Sequence, residues 1–207
     1  YFARHPTIPL DRVDMMTCMD LVGHELGPPA VAADVRGSVF ALGTERSTGT
    51  SAIVDQLARA EDGVVIRRAD AEIIPPLSDH AAFWNRRIPF VFLTSGRSRV
   101  YHTPEDRPEL LAWDKMAATA RWLERFVRAS CERDERSVAF LDRRDDASTL
   151  RSLVELTTAL LPHSEQAGVG LAMARALLAA CDRDGCLPPA RVAEVQRLVA
   201  MLEAGLA

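Results

Sequence analysis

Apolar positions follow two regimes along this chain. Up to about residue 131, short and nearly continuous apolar runs alternate with helical periodicity; beyond it only helical periodicity remains. The run 13–22 ends at Gly23 and suits a largely buried strand. Residues 38–42 and 64–66 are two further strands, the second opened by an Asp62-Gly63 turn. Residues 89–94, apolar on both faces and stopped by Ser95-Gly96, read as a central strand of a helix-covered parallel sheet. Between these runs Ser51 is expected to cap an amphipathic helix to Ala60, with Ile53, Val54, Leu57 and Ala58 on its apolar face. A long helix follows Asp106-Arg107-Pro108 and runs to Cys131. Its residues Leu110, Trp113, Met116, Ala120, Leu123 and Val127 recur at spacings of three and four, and this stripe is expected to face the core. Strands alternating with helices predict an α/β fold with a mostly parallel sheet and flanking helices.

A charged run at 132–136 separates that pattern from three helix-like segments, 147–161, 165–181 (capped by Ser164) and 189–202 (with Pro at its first turn). The chain therefore divides into an α/β part, 1–132, and an all-helical extension, 133–207. It shows no internal repeat and no low-complexity tract.

Composition narrows the possibilities. The 207 residues are 48% hydrophobic and 26% charged, with a net charge of −4 and a pI near 5.8. That describes a globular chain without the basic footprint of a nucleic-acid binder. Lys115 is the only lysine; every other basic side chain is arginine interleaved with acids, as on a solvated face. No apolar run reaches the roughly 18 residues of a membrane span, and residues 1–6 contain no apolar signal core. The cysteines at 18, 131, 181 and 186 have no metal-finger spacing. Cys18 is expected as a buried thiol within a strand, and Cys181 and Cys186, which could bridge the turn between them, are expected as free thiols.

Several motifs fail on inspection. Asp182-Arg183-Asp184-Gly185 would place Arg191 where a calcium loop needs its last acid, so it reads as a turn. His24-Glu25 is followed by Pro28 where a zinc-protease helix needs a second histidine. Ser95 lacks the preceding glycine of a nucleophile elbow. Two segments survive. One is Asp20, a carboxylate at the end of a buried strand. The other runs through Ser78-Asp79-His80, the strand near 88–94, and Tyr101-His102-Thr103-Pro104-Glu105-Asp106. Open α/β sheets place ligand sites outside the carboxyl ends of their strands, and a carboxylate with an imidazole at one sheet edge is half of a zinc ligand set.

In that order, an Asp-Leu-Val-Gly strand end, Ser-Asp-His-x-x-Phe, an Ile-Pro strand, Tyr-His-Thr-x-x-Asp and a long helix, the chain resembles the co-catalytic zinc aminopeptidases, relatives of the glutaminyl cyclases, over about residues 1–131. The resemblance implies that Asp20 and His102 are ligands of two different zinc ions. It implies that Tyr101 polarises the substrate carbonyl and steadies the oxyanion. Ser78, Asp79 and His80 would support the site without ligating, and Asp106 would orient the His102 loop and start the following helix. The implied reaction is hydrolysis of N-terminal peptide bonds, in which two zinc ions about 3.5–4 Å apart acidify a bridging water. The implied partner is a peptide with a free α-amino group. A secreted or periplasmic location is compatible with the resemblance.

The family pattern also includes a His-x-Asp pair and an adjacent Glu-Glu pair before the counterpart of Asp20. The nineteen residues preceding Asp20 contain no Glu, and His5 is followed by Pro6-Thr7. The expectation is therefore the C-terminal half of a zinc exopeptidase, inactive by itself, with an extension whose helices offer surfaces for self-association. Two other readings remain. One is a glutaminyl cyclase with one zinc and Asp20 as a relay acid, although cyclases tend to carry Trp at the position of Tyr101. The other is a peptidase-like domain kept for binding.

Overall fold

The computed structural model describes residues 1–133 and 138–206. Of the charged run, Asp134, Glu135 and Arg136 lie outside the described residues. In chain order the first part contains β1 (Met16–Met19), α1 (Ala33–Arg36), β2 (Ser38–Leu42), α2 (Thr50–Leu57), β3 (Val65–Ala69), α3 (Ala81–Trp84), β4 (Phe90–Thr94) and α4 (Trp113–Cys131). The second part contains α5 (Asp146–Leu160), α6 (Glu165–Leu178) and α7 (Val192–Leu206).

The strands form one sheet in the order β1-β4-β2-β3. β1 is parallel to β4 and β2 to β3, as the expected α/β class requires, but the central β4–β2 pairing is antiparallel, with Leu42 opposite Phe92. The sheet is thus mixed. One consequence governs the site: the carboxyl ends of β1 and β4 leave the sheet side by side, and those of β2 and β3 leave at the opposite end.

One face of the sheet, carrying Val39, Ala41, Ile66, Val91 and Leu93, packs on α2 and α4 through Val54, Ala118, Trp122 and Phe126. Trp122 and Phe126 stack with their ring centroids 5.2 Å apart, and the Trp122 indole N–H donates to the Leu57 carbonyl at 2.9 Å. Removing a buried ring of this size costs about 3–5 kcal/mol. The stripe expected to face the core is not the buried one, because Trp113 is 60% exposed and Val127 46%. The large rings of Trp122 and Phe126 bury more surface than the stripe's medium-sized residues, and small Ala118 and Thr119 beside them let the helix approach the sheet.

The other face is covered in two halves. Phe90 and Phe92 pack with Met16, Cys18, Ile73 and Trp84; Phe40 packs with Val31, Val35, Leu156, Leu160 and Leu206. The C-terminal helices, present as expected, thus lie on the sheet, with their own core of Leu150, Leu153, Ala174, Leu177, Val195 and Leu198. Polar ties reinforce the seam: Arg67 pairs with Glu155, Arg68 with Asp145 at 2.7 Å, and the Asp70 N–H donates to Thr149 at 2.8 Å. Arg67 and Arg68 extend β3 beyond the expected 64–66, since their charges are met by partners inside the fold.

Local signals differ in two places. Ser51 does not cap α2; Gly49 does, at φ 72°, and the Ser51 hydroxyl donates to Thr44 Oγ1 at 3.3 Å. Ser164 stands at the N-cap of α6 without a side-chain capping bond. Asp182–Gly185 is a turn, its Asp182 carboxylate accepting from the N–H groups of Asp184 and Cys186. All four cysteines are free thiols.

Candidate active site

Asp20 follows β1 directly and is exposed. Its N–H donates to the Leu93 carbonyl at 3.0 Å, carrying the β1–β4 ladder one residue further, and its carboxylate accepts from the Ser78 hydroxyl at 3.2 Å. Leu21, next in the chain, has φ 58°, and its carbonyl accepts from Ser95 N–H at 3.1 Å. A leucine in the left-handed region costs about 1–2 kcal/mol and persists only where its surroundings fix it. Only three described non-glycine residues have positive φ: Leu21, Arg87 and His102. Two of the three sit at or beside a predicted ligand.

His102 lies in the loop that leaves β4. Its ring is exposed and stacks on Tyr101 with centroids 3.8 Å apart, while the Tyr101 N–H closes a turn on the Ser98 carbonyl. The predicted pair therefore leaves the sheet from the carboxyl ends of adjacent parallel strands, the place that sheet topology assigns to ligands.

The Ser-Asp-His segment divides its tasks. Ser78 reaches Asp20, and Asp79 is exposed. His80 is buried among aromatic rings, stacked on Phe92 at 4.5 Å and tilted against Phe90 at 5.3 Å. Burial lowers its pKa, with Asp79 opposing the shift, so the ring is kept neutral. Cys18 sits beneath the same segment. Desolvation, with the charges of Asp79 and Asp20 nearby, pushes its thiol up to about 11, and it stays protonated. The Asp106 N–H donates to the Thr103 carbonyl at 3.1 Å, and the Asp106 carboxylate faces His24, Oδ1 lying 3.4 Å from His24 Nε2. It thereby links the loop of His102 to the loop after β1. The long helix begins later, at Trp113, after a short turn at Pro108–Leu110.

Lys115 escaped the sequence reading. It is buried, and its ammonium donates to the His24 carbonyl (2.6 Å), the Ser95 hydroxyl (2.8 Å) and the Arg36 carbonyl (3.4 Å). The Ser95 hydroxyl in turn donates to the Ser38 carbonyl at 3.2 Å. One cation thus joins the loop after β1, the start of β2 and the end of β4. Burial pushes its pKa down to about 8, with Glu25 pulling it back. Its signal in the sequence was its rarity, a single lysine among arginines.

Asp20 and His102 are chemically suited to zinc, one through oxygen and one through nitrogen. Among the described residues, however, no group of three or more His, Cys, Asp or Glu side chains is placed to hold a metal ion. A catalytic zinc takes three protein ligands, so these residues do not fit a complete zinc site on their own.

No helix of the described residues is long and apolar enough to cross a membrane. No curated protein and no solved structure matches the chain. The model of Peptidase family M28 matches residues 1–127, which takes in all four strands, Asp20, the Ser-Asp-His segment and the Tyr-His loop, and stops within α4. The peptidases of this family typically use zinc. Because the match spans more than half of the chain and both strands that deliver the predicted ligands, the chain belongs to peptidase family M28 and to its metallopeptidase chemistry.

Proposed function

We propose that this chain supplies part of the active site of an aminopeptidase. Residues 1–132 form the portion of the catalytic domain that carries Asp20 and His102, and 133–207 form its helical extension. The carrying observation is topological: the two residues leave adjacent parallel strands at the same sheet end. Ser78 orients the Asp20 carboxylate, and the stacked Tyr101 presents a hydroxyl for the developing oxyanion. Two zinc ions are expected in the complete site; when bound they supply an activated water and a Lewis acid. The two-donor count calls for further ligands and a general base beyond the described residues, and by themselves these residues are expected to be inactive.

The test uses the full-length protein, purified without chelators. Zinc content of about two per chain and hydrolysis of aminoacyl anilides, but not of their N-acetylated forms, are expected. Asp20→Ala and His102→Ala should each abolish hydrolysis with the fold intact. A metal-free, inactive full-length protein would instead favour a peptidase-like binding domain, the reading that the missing third donor supports. Activity confined to N-terminal glutamine would point to a cyclase.

A further inference from the structure

We infer that the last turn of α7, outside the family match, positions the loops of Asp20 and His102, with Glu203 as the clamp. The Glu203 carboxylate accepts three hydrogen bonds from one residue of the loop leaving β4: Arg97 N–H at 3.0 Å, Nε at 3.1 Å and the terminal guanidinium nitrogen at 2.8 Å. The fork is two-pronged and charge-assisted, the strong and directional kind of hydrogen bond. Gly96 makes the approach: at φ 81° it turns the loop onto α7, and a Cβ there would sit 3.5 Å from Glu203 Oε1.

Three residues on, and hence on the same helix face, Leu206 reaches the other loop. Its carbonyl accepts from Gly27 N–H at 2.8 Å, and its side chain is buried with Val31 and Val35. Gly27 sits at φ 72°, a conformation that favours glycine, and a Cβ there would lie 3.1 Å from Leu206 Cδ2, a tight approach. The two loops bound by this single turn are those that begin beyond Asp20 and lead to Tyr101-His102. Arg97 also holds the Glu203 carboxyl below the usual carboxylate range, so the clamp is ionised at neutral pH. Glu203 is therefore a positioning residue. Its bearing on catalysis rests on the peptidase reading; the mechanical tie between α7 and the loops does not.

The experiment compares Glu203→Ala and Glu203→Gln in the full-length protein with Glu194→Ala. Glu194 stands in the first turn of the same helix and pairs with Arg191, just before it, at 3.0 Å. Amide hydrogen exchange over 97–103 and 24–27 is one readout; the KM-against-kcat split on an aminoacyl anilide is the other. Glu203→Ala should speed exchange in those segments by about tenfold and lower kcat by about tenfold with KM nearly unchanged. Glu203→Gln, which still accepts from the Arg97 N–H, should fall between, and Glu194→Ala should match wild type. Should Glu203→Ala fold poorly, Arg97→Ala, from an exposed partner, must give the same local effect, and the double variant must add nothing to either. Exchange unchanged at 97–103, or raised uniformly through the chain, overturns the clamp. A wild-type protein that hydrolyses nothing defeats the peptidase reading, while the exchange data still decide the clamp.

Discussion

The two ends of the sheet solve opposite problems. At the end where β2 and β3 stop, charge is buried and answered by charge. Arg46 is met by Glu72 and by Asp142 at 3.0 Å, Arg68 by Asp55 and Asp145 at 2.7 Å each, and the Asp145 N–H donates to Asp70 at 2.5 Å. At the end where β1 and β4 stop, Asp20, Asp79 and His102 face solvent, and buried Lys115 holds backbone carbonyls and a hydroxyl instead of an acid. At the first end most charges are drawn into pairs with one another, Glu45 being the exception. An end with exposed acids and imidazole, two left-handed backbone residues and loops pinned from behind has its side chains left over for a ligand.

The largest expected effect breaks the paired end. Arg68→Ala strands Asp145 and should lower unfolding free energy by about 3 kcal/mol, read by urea denaturation. Next comes Glu45, buried beside Arg46. Desolvation, then the charge of Asp70, pushes its carboxyl up to about 8 against the opposing pull of Arg46. A pKa raised in the fold means that stability is present below about pH 4.5 and is lost as pH rises towards 8. Glu45→Gln should remove most of that decline in Tm, with Asp70, also raised by desolvation, leaving a remainder.

Lys115 gives the opposite slope at the other end. Its pKa is lowered from 10.5 to about 8, so the folded state loses its proton first and stability should rise between those values. Lys115→Met should flatten this rise and cost about 1–2 kcal/mol at pH 7 through the unsatisfied carbonyls. The smallest effect sharpens the contrast: Asp20→Ala, at an exposed position, should change stability by less than about 0.5 kcal/mol while removing hydrolysis.

β2, β4 and the first half of β3 were legible because they are buried on both faces. The run 13–22, expected as a largely buried strand, forms only the four-residue edge strand β1, half-buried with Met19 exposed, because β4 covers one of its edges alone. Asp20 was nonetheless legible as the residue that closes it. The far half of β3 was not: Arg67 and Arg68 look like a solvated turn until Glu155, Asp55 and Asp145 are brought to them by the fold. The buried face of α4 was misread because periodicity counts apolar residues equally, whereas packing favours Trp122 and Phe126. The order of the short motifs led to the family. The Arg97–Glu203 tie could not be read, since its partners lie 106 residues apart and each looks like an ordinary surface charge.

The solitary lysine has a practical corollary. Amine-directed reagents have one side-chain target in these 207 residues, and its pKa of about 8 leaves more free base near neutral pH than an ordinary lysine has. It is shielded behind the two loops. The rate at which an acylating probe marks position 115 is therefore a built-in gauge of how often those loops part, in wild type and in every variant that keeps the lysine.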